Sequence, residues 1–396
     1  MSEKIGYQAV KEREGIILNA NESSENLPRT LRRQIADALM NIDFHRYPQD
    51  EATMLCEAYA RYIHADSSQI IAGNGSDEML GLMIALYIGE GKKLYTLSPD
   101  FSMYDYYVGM HNGTVVRYPR KAEEAFDTED FIAKGKAEKV DLVLFSNPNN
   151  PTGQIIKKKD LCRIAAAFDC PVIIDEAYGE FADDTMIDQL DRYENLFVTR
   201  TLSKAFALAA VRCGFLIGNK AAMKKIRSCK VPYNVNTMTQ CAAQIVLSNR
   251  DELLKRRDEI IQERSRMEQA CARYDTDLLR IYPSHANFFY GRSSRKEELL
   301  KLFENKTSSF ATMRMTASAS PLAQKKKMIR YWRYYSHLRR NIDEASGGNG
   351  KKYKGNTNQG RACCGWKRKK RDSDRCRLFR SYADIVRLSF RHGSLR

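Results

Sequence analysis

Four short stretches set reactive or charged side chains at the ends of apolar runs. Arg200-Thr201-Leu202-Ser203-Lys204, with Arg212 eight residues on, places a lysine amid Ala and Leu residues. Such a lysine is a candidate for a lowered pKa and for bonding a carbonyl carbon as a Schiff base. Its bland alternative is a surface lysine on an amphipathic helix. Asp175-Glu176-Ala177-Tyr178 follows Val172-Ile173-Ile174. An acid at the end of a buried strand is costly unless a cation pairs with it, although an aspartate there can equally cap the next helix. Asn147-Pro148-Asn149-Asn150-Pro151-Thr152-Gly153 is a rigid loop that carries Asn side chains, or else a plain turn. Gly73-Asn74-Gly75-Ser76-Asp77-Glu78 precedes an apolar helical run. Glycines let backbone approach an anion, and a helix start offers unpaired N–H groups, yet many such turns only cap helices.

The elements around these stretches read as an α/β fold. Asp141–Ser146, Pro171–Asp175, Leu196–Thr199 and Cys213–Ile217 are short, nearly continuous apolar runs. They suit strands buried on both faces of a mostly parallel sheet. Ile70-Ile71-Ala72, Lys93–Leu97 and Thr114–Tyr118 are further strands. In such sheets functional residues gather at the carboxyl ends of strands. Helical patterns cover Leu31–Met40 and Asp50–Ile63, and a long charged helix covers Asn249–Arg273. Ala286–Gly291 reads as a strand and Lys296–Glu304 as a helix of a smaller domain. Residues 1–18 read as an arm.

Charge divides the chain in two. Its 396 residues carry a net charge of +16. Lys306–Arg396 holds 24 basic and 5 acidic side chains, which leaves 41 basic against 44 acidic in residues 1–305. The body is therefore mildly acidic, and the basic excess that ordinarily points to nucleic acid belongs to the tail alone. Seven of the ten cysteines lie in the body without a C-x-x-C pair, and Cys363, Cys364 and Cys376 lack histidines at finger spacing. Buried free thiols are the expectation, with no zinc or other metal. The N-terminus lacks an apolar signal core, and the run around Met79–Ile88 is too short to cross a bilayer. The expected location is the cytoplasm.

Together the stretches resemble the fold-type I pyridoxal-phosphate-dependent aminotransferases, and within them the histidinol-phosphate aminotransferases. The resemblance spans about residues 5–304 and includes LNANES (Leu18–Ser23), HRYP (His45–Pro48), GNGSDE and SPDFSMY (Ser98–Tyr104). SNPNNPTG, IIDEAYGEF (Ile173–Phe181), RTLSKAFALAAVRCGF (Arg200–Phe215), VPYNVNTMTQ (Val231–Gln240) and HANFFYGR extend it. It implies an arm at 1–30, a large pyridoxal 5′-phosphate-binding domain with a mostly parallel sheet at 31–248, and part of a smaller α/β domain at 249–305. Lys204 would bond the cofactor and shuttle a proton. Asp175 would pair with the pyridinium nitrogen. Asn150 and Tyr178 would hydrogen-bond the ring's 3-oxygen, and Tyr104 would stack on the ring. Ser76, Asp77, Ser203 and Arg212 would hold the phosphate. Tyr47 would reach the cofactor phosphate of a neighbouring subunit, implying a homodimer. Tyr7 and Asn21 would meet the substrate. The implied reaction exchanges an amino group between L-histidinol phosphate and 2-oxoglutarate. The alternative readings within the resemblance are an aromatic amino-acid aminotransferase and a threonine-phosphate decarboxylase-like enzyme. Ala207 and Ala210 stand where glycines are common, a departure expected to matter little.

After Glu304 the motifs stop. The family's next segments resemble I-I-I-R-D-Y and F-R-I-T-V-G-T, whose arginines help to bind the substrate phosphate. Read one base out of frame, synonymous codons for Thr307–Leu338 permit both, in order, followed by a stop. The remaining frame from Asp343 permits a run resembling the start of imidazoleglycerol-phosphate dehydratase. Residues 306–396 are therefore expected to be an out-of-frame, disordered tail. The chain would then bind the cofactor poorly or be insoluble, with little activity. A nucleic-acid-binding tail built around Lys367–Arg371 is the competing reading.

Overall fold

Apolar side chains alternating to both sides of short strands demand cover on both faces, and the sheet receives it. In the computed structural model the described residues are 20–272, 280–293 and 327–329. All fall within one compact unit, Met1–Asn341. Seven strands form the main sheet: β1 (Ile70–Asn74), β2 (Lys93–Ser98), β3 (Thr114–Pro119), β4 (Leu142–Ser146), β5 (Val172–Asp175), β6 (Leu196–Thr201) and β7 (Cys213–Gly218). Their order is β1-β7-β6-β5-β4-β2-β3. The neighbours from β6 through β3 pair in parallel, and β7 alone runs antiparallel to both β6 and β1.

On one face Ala72, Val143, Phe145, Ile174, Val198 and Phe215 enter one core cluster. On the other Ile71, Leu144, Ile173, Phe197 and Leu216 enter a second, with Met79, Leu80, Met83 and Ile84 of α3 (Gly75–Tyr87). Each such side chain contributes about 1.5–3 kcal/mol on full burial. The other helices are α1 (Arg29–Leu39), α2 (Thr53–Ile63), α4 (Met103–Met110), α5 (Thr128–Ala137), α6 (Lys158–Ala167), α7 (Lys220–Arg227), α8 (Thr237–Ser248) and α9 (Asp251–Ala272).

Several expectations shift. The second helical pattern begins at Asp50, but α2 begins at Thr53 because Ala52 takes a left-handed conformation (φ 46°). Asp50 is used elsewhere: its Oδ1 accepts from the Tyr233 N–H at 2.7 Å and pairs with Lys230. The glycine-rich turn after β1 is not a loop, since strand passes directly into α3 at Gly75. A small antiparallel sheet has β9 (Phe289–Arg292) between β8 (Arg280–Tyr282) and β10 (Lys327–Ile329). Its strand β9 starts three residues later than the apolar pattern, because Ser284 Oγ accepts from the Ala286 N–H and donates to the Phe288 carbonyl, making a turn there. The arm before residue 20, the Lys296–Glu304 helix and the tail other than 327–329 lie outside the described residues.

Of the described cysteines, Cys56 and Cys213 are buried, Cys162, Cys170 and Cys241 are half-buried, and Cys229 is exposed, so burial accounts for only some. All six are free thiols. Among the described residues there is no cluster able to hold a metal, and no helix is long and apolar enough to cross a membrane.

Candidate active site

Strand direction decides which side chains meet. Parallel β4, β5 and β6 end at one edge with Ser146, Asp175 and Thr201. Because β7 is reversed, its first residues reach that same edge: Cys213 pairs with Asn74 and Gly214 with Thr201. Arg212, just before β7, is thereby delivered to the start of α3. A Cβ on Gly214 would stand 2.2 Å from the Ser76 nitrogen, so only glycine lets β7 approach the helix so closely.

The start of α3 forms a cradle for an anion. The first N–H groups of a helix have no partner within it, and the helix dipole favours negative charge there. Ser76 is buried at this point. Arg212 holds Asp77 Oδ2 at 2.7 Å through Nη2 and donates to Ser203 Oγ at 3.3 Å through Nη1. Ser203 is fixed in turn by Thr201, whose Oγ1 accepts from the Ser203 N–H at 3.1 Å. Ser76, Asp77, Ser203 and Arg212 thus converge.

Asp175 is 3% exposed and meets no cation among the described residues. Thr199 Oγ1 and Tyr104 Oη donate to it, each at 2.8 Å, and the Ala177 N–H does so at 3.2 Å. Burial pushes its carboxyl up to about 6, against the pull of the Tyr104 and Thr199 hydrogen bonds. The residue caps a turn at Ala177, and no α-helix follows it. Tyr104, assigned by resemblance to a ring face, has its hydroxyl on this carboxylate.

Lys204 lies in a turn after β6, not on a helix, which removes the surface-helix alternative. Its Nζ donates to the Ala20 carbonyl at 2.7 Å and stands 5.7 Å from the centre of the Tyr178 ring. Tyr178 Oη accepts from Asn21 Nδ2 at 2.7 Å. Asn21 is itself buried, and Asn287 Nδ2 donates to its carbonyl at 3.2 Å. Lys204, Tyr178 and Asn21 therefore form one cluster. Ala207, three residues on, has φ 56°. Glycine adopts that conformation freely and alanine does not, so this departure carries a backbone cost of about 1 kcal/mol.

The loop after β4 is stapled by its own asparagines. Asn147 Oδ1 accepts from the Ile156 N–H at 2.7 Å, and Asn149 Oδ1 from Thr152 Oγ1 at 2.7 Å. Among the described residues the Asn150 side-chain amide has no partner. Tyr47 stands apart, 82% exposed and stacked on Tyr233 at 4.9 Å. Tyr7 lies outside the described residues.

Other residues at this edge are less legible in the sequence. Arg200 is bound to Glu176 at 2.7 Å and Glu180 at 2.8 Å in a buried cluster, a structural role for a residue beside the key lysine. Asp100 is half-buried beside Ser146. The only hint of it is an acid after proline in SPDFSMY. Asn287, from HANFFYGR, closes over Asn21.

The family model for aminotransferases of class I and II matches residues 13–338, running past Glu304, where the resemblance was expected to end. A histidinol-phosphate aminotransferase of Clostridium novyi is 36% identical over 300 residues, covering 75% of this chain and 84% of that protein. The crystal structure of histidinol-phosphate aminotransferase from Sinorhizobium meliloti in complex with pyridoxal-5'-phosphate superposes with a TM-score of 0.70 at 24% identity, over 80% of this chain and 86% of that one. L-threonine-O-3-phosphate decarboxylase from Porphyromonas gingivalis gives 0.68 at 20% identity, over 84% and 99%. These two structures speak for the fold.

Proposed function

The chain belongs to the class I and II aminotransferases, and from that premise we propose that it uses pyridoxal 5′-phosphate to transfer an amino group between L-histidinol phosphate and 2-oxoglutarate, giving imidazole-acetol phosphate and L-glutamate. The observation that carries the cofactor is Asp175, a buried acid without a cation among the described residues. A carboxylate accepts about four hydrogen bonds. Asp175 takes three, from Tyr104, Thr199 and Ala177. That leaves room for a pyridinium N–H. The α3 start with Ser76, Asp77, Ser203 and Arg212 fits the phosphate, and the Asn150 amide and Tyr178 hydroxyl fit the ring's 3-oxygen.

Bound there, the cofactor supplies an aldehyde carbon that carries the amino group and a ring that withdraws electrons from the substrate's Cα–H bond. The residues do the rest. Lys204 Nζ is the primary amine that would hold the cofactor, and as a free amine it would take the proton from the substrate Cα. Asp175 keeps a positive charge fixed in a dry site, where it is worth more than in water. Asn21 orients the Tyr178 hydroxyl. The 36% identity to a histidinol-phosphate aminotransferase supports the choice of substrate. Assays with L-histidinol phosphate, aromatic amino acids and O-phospho-L-threonine test it. Histidinol phosphate should lead in kcat/KM by at least about tenfold. Release of CO2 from phosphothreonine, or an aromatic preference, overturns it.

The working form we propose is a homodimer in the cytoplasm. Met40, Phe44, Tyr47, Val231, Tyr233 and Met238 are large apolar residues between 47% and 84% exposed. The two segments carrying them are joined by the Tyr47–Tyr233 stack and the Gln240–Gln49 bond. An apolar patch of this kind marks an interface. Sedimentation should show a dimer at micromolar concentration and a monomer for Phe44→Glu with Val231→Glu. A monomeric wild type would rule the dimer out. The domain limits 31–248 and 249–305, and an out-of-frame segment from about 306, complete the proposal. The residues proposed for the cofactor all precede Cys213, so, in place of the poor cofactor binding expected from the sequence, the proposal puts the cost of frame loss on substrate binding and turnover.

A further inference from the structure

A half-buried carboxyl, Asp100, lies two strands from Asp175 and has no part in the chemistry above. Asp100, in the turn after β2, accepts from the Phe101 N–H at 2.8 Å and, in a short contact, from the Ser146 hydroxyl. The Ser146 N–H reaches its Oδ2 at 3.2 Å. Ser146 Oγ in turn accepts from the Asn150 N–H at 2.8 Å. In the β4–β5 register Ser146 stands directly opposite Asp175. Asp100 makes no ion pair among the described residues.

The geometry points to Asp100 as a positioning residue: acting through Ser146, it holds the Asn150 loop in place against the cofactor ring. This rests on the reading of the site as a pyridoxal-phosphate site with Asn150 at the 3-oxygen. The anchor works as an acceptor, since the Ser146 hydroxyl and N–H and the Phe101 N–H all donate to it. Burial pushes the Asp100 carboxyl up to about 8, hydrogen bonds from Ser146 and Phe101 oppose the rise, and Asp175 adds to it. Asn150 would thus be set by a residue that never touches the cofactor.

A hydrogen bond to the 3-oxygen favours its ionised form, so losing that bond raises the pH midpoint of the bound cofactor's visible absorbance. The full chain loaded with pyridoxal phosphate is titrated between pH 5 and 10. Asp100→Ala should raise the midpoint by about one unit, as should Asn150→Ala, and the double variant should add little beyond either. Asp100→Asn should keep the wild-type midpoint. A purely structural role would lower the melting temperature without moving the midpoint. If Asp100→Ala does not fold, Ser146→Ala carries the same expectation. An unmoved midpoint in these variants, additive shifts, or a shift in Asp100→Asn equal to that of alanine overturns the assignment. A wild-type chain with no such absorbance overturns the cofactor reading as well.

Discussion

Lys204→Ala should lose all cofactor that borohydride can fix to the protein and should lower turnover by on the order of 10³-fold or more. Only a primary amine can both bond the cofactor's aldehyde and carry the Cα proton, so arginine at the same place should fail equally. Stability should hardly change. Among the described residues Lys204 Nζ has one hydrogen bond, to the Ala20 carbonyl, and such a bond contributes about 1 kcal/mol. The phosphate cradle of Ser76, Ser203 and Arg212 makes no use of the lysine, so the variant should still bind pyridoxal phosphate, now released by dialysis. Mass spectrometry after borohydride reduction reads the label independently of turnover, which matters in a chain expected to turn over slowly. A reductive label that persists at another lysine, or turnover above a tenth of wild type, would falsify the assignment.

The sheet was legible because strands buried on both faces write nearly continuous apolar runs, and the polar residue ending each run marks the functional edge. Asp175 and the Asn147 loop follow from that alone. Direction was not legible. Cys213–Gly218 reads like its neighbours, yet it runs antiparallel, and only this brings Arg212 beside Asp77. Periodicity records which face a side chain takes and says nothing of which way the strand travels. The partners of Arg200 were hidden for a similar reason, since Glu176 and Glu180 join it only once β5 lies beside β6. Ala207 shows a further limit. As a residue type it is bland, and its positive φ is visible only in the backbone. Asp100 entered the sequence reading only within SPDFSMY, because nothing in its spacing announces that the β4 loop packs over it.

If residues from about 306 are out of frame, as proposed, restoring the frame by one base between Leu302 and Thr312 should raise kcat/KM for histidinol phosphate by roughly 10²- to 10⁴-fold, the second large effect. The shifted frame permits two segments whose arginines resemble those that bind the substrate phosphate. A charge-assisted hydrogen bond contributes about 1.5–3 kcal/mol, so two supply roughly 3–6, and each 1.4 is a factor of ten. The gain should appear mainly with phosphorylated donors. Affinity for pyridoxal phosphate should move much less, because Ser76, Asp77, Asp175, Ser203, Lys204 and Arg212 stand before the break and are already held by the main sheet. The same correction would replace a segment carrying 24 basic and 5 acidic residues, so the basic isoelectric point and any salt-sensitive adhesion to DNA should go with it. Equal activity in both chains, with a coding sequence that shows no one-base difference from close relatives, would restore the tail as a true part of the protein. The excess charge would then need a phosphate-bearing partner, because the enzyme body, at 41 basic against 44 acidic side chains, offers no reason for it.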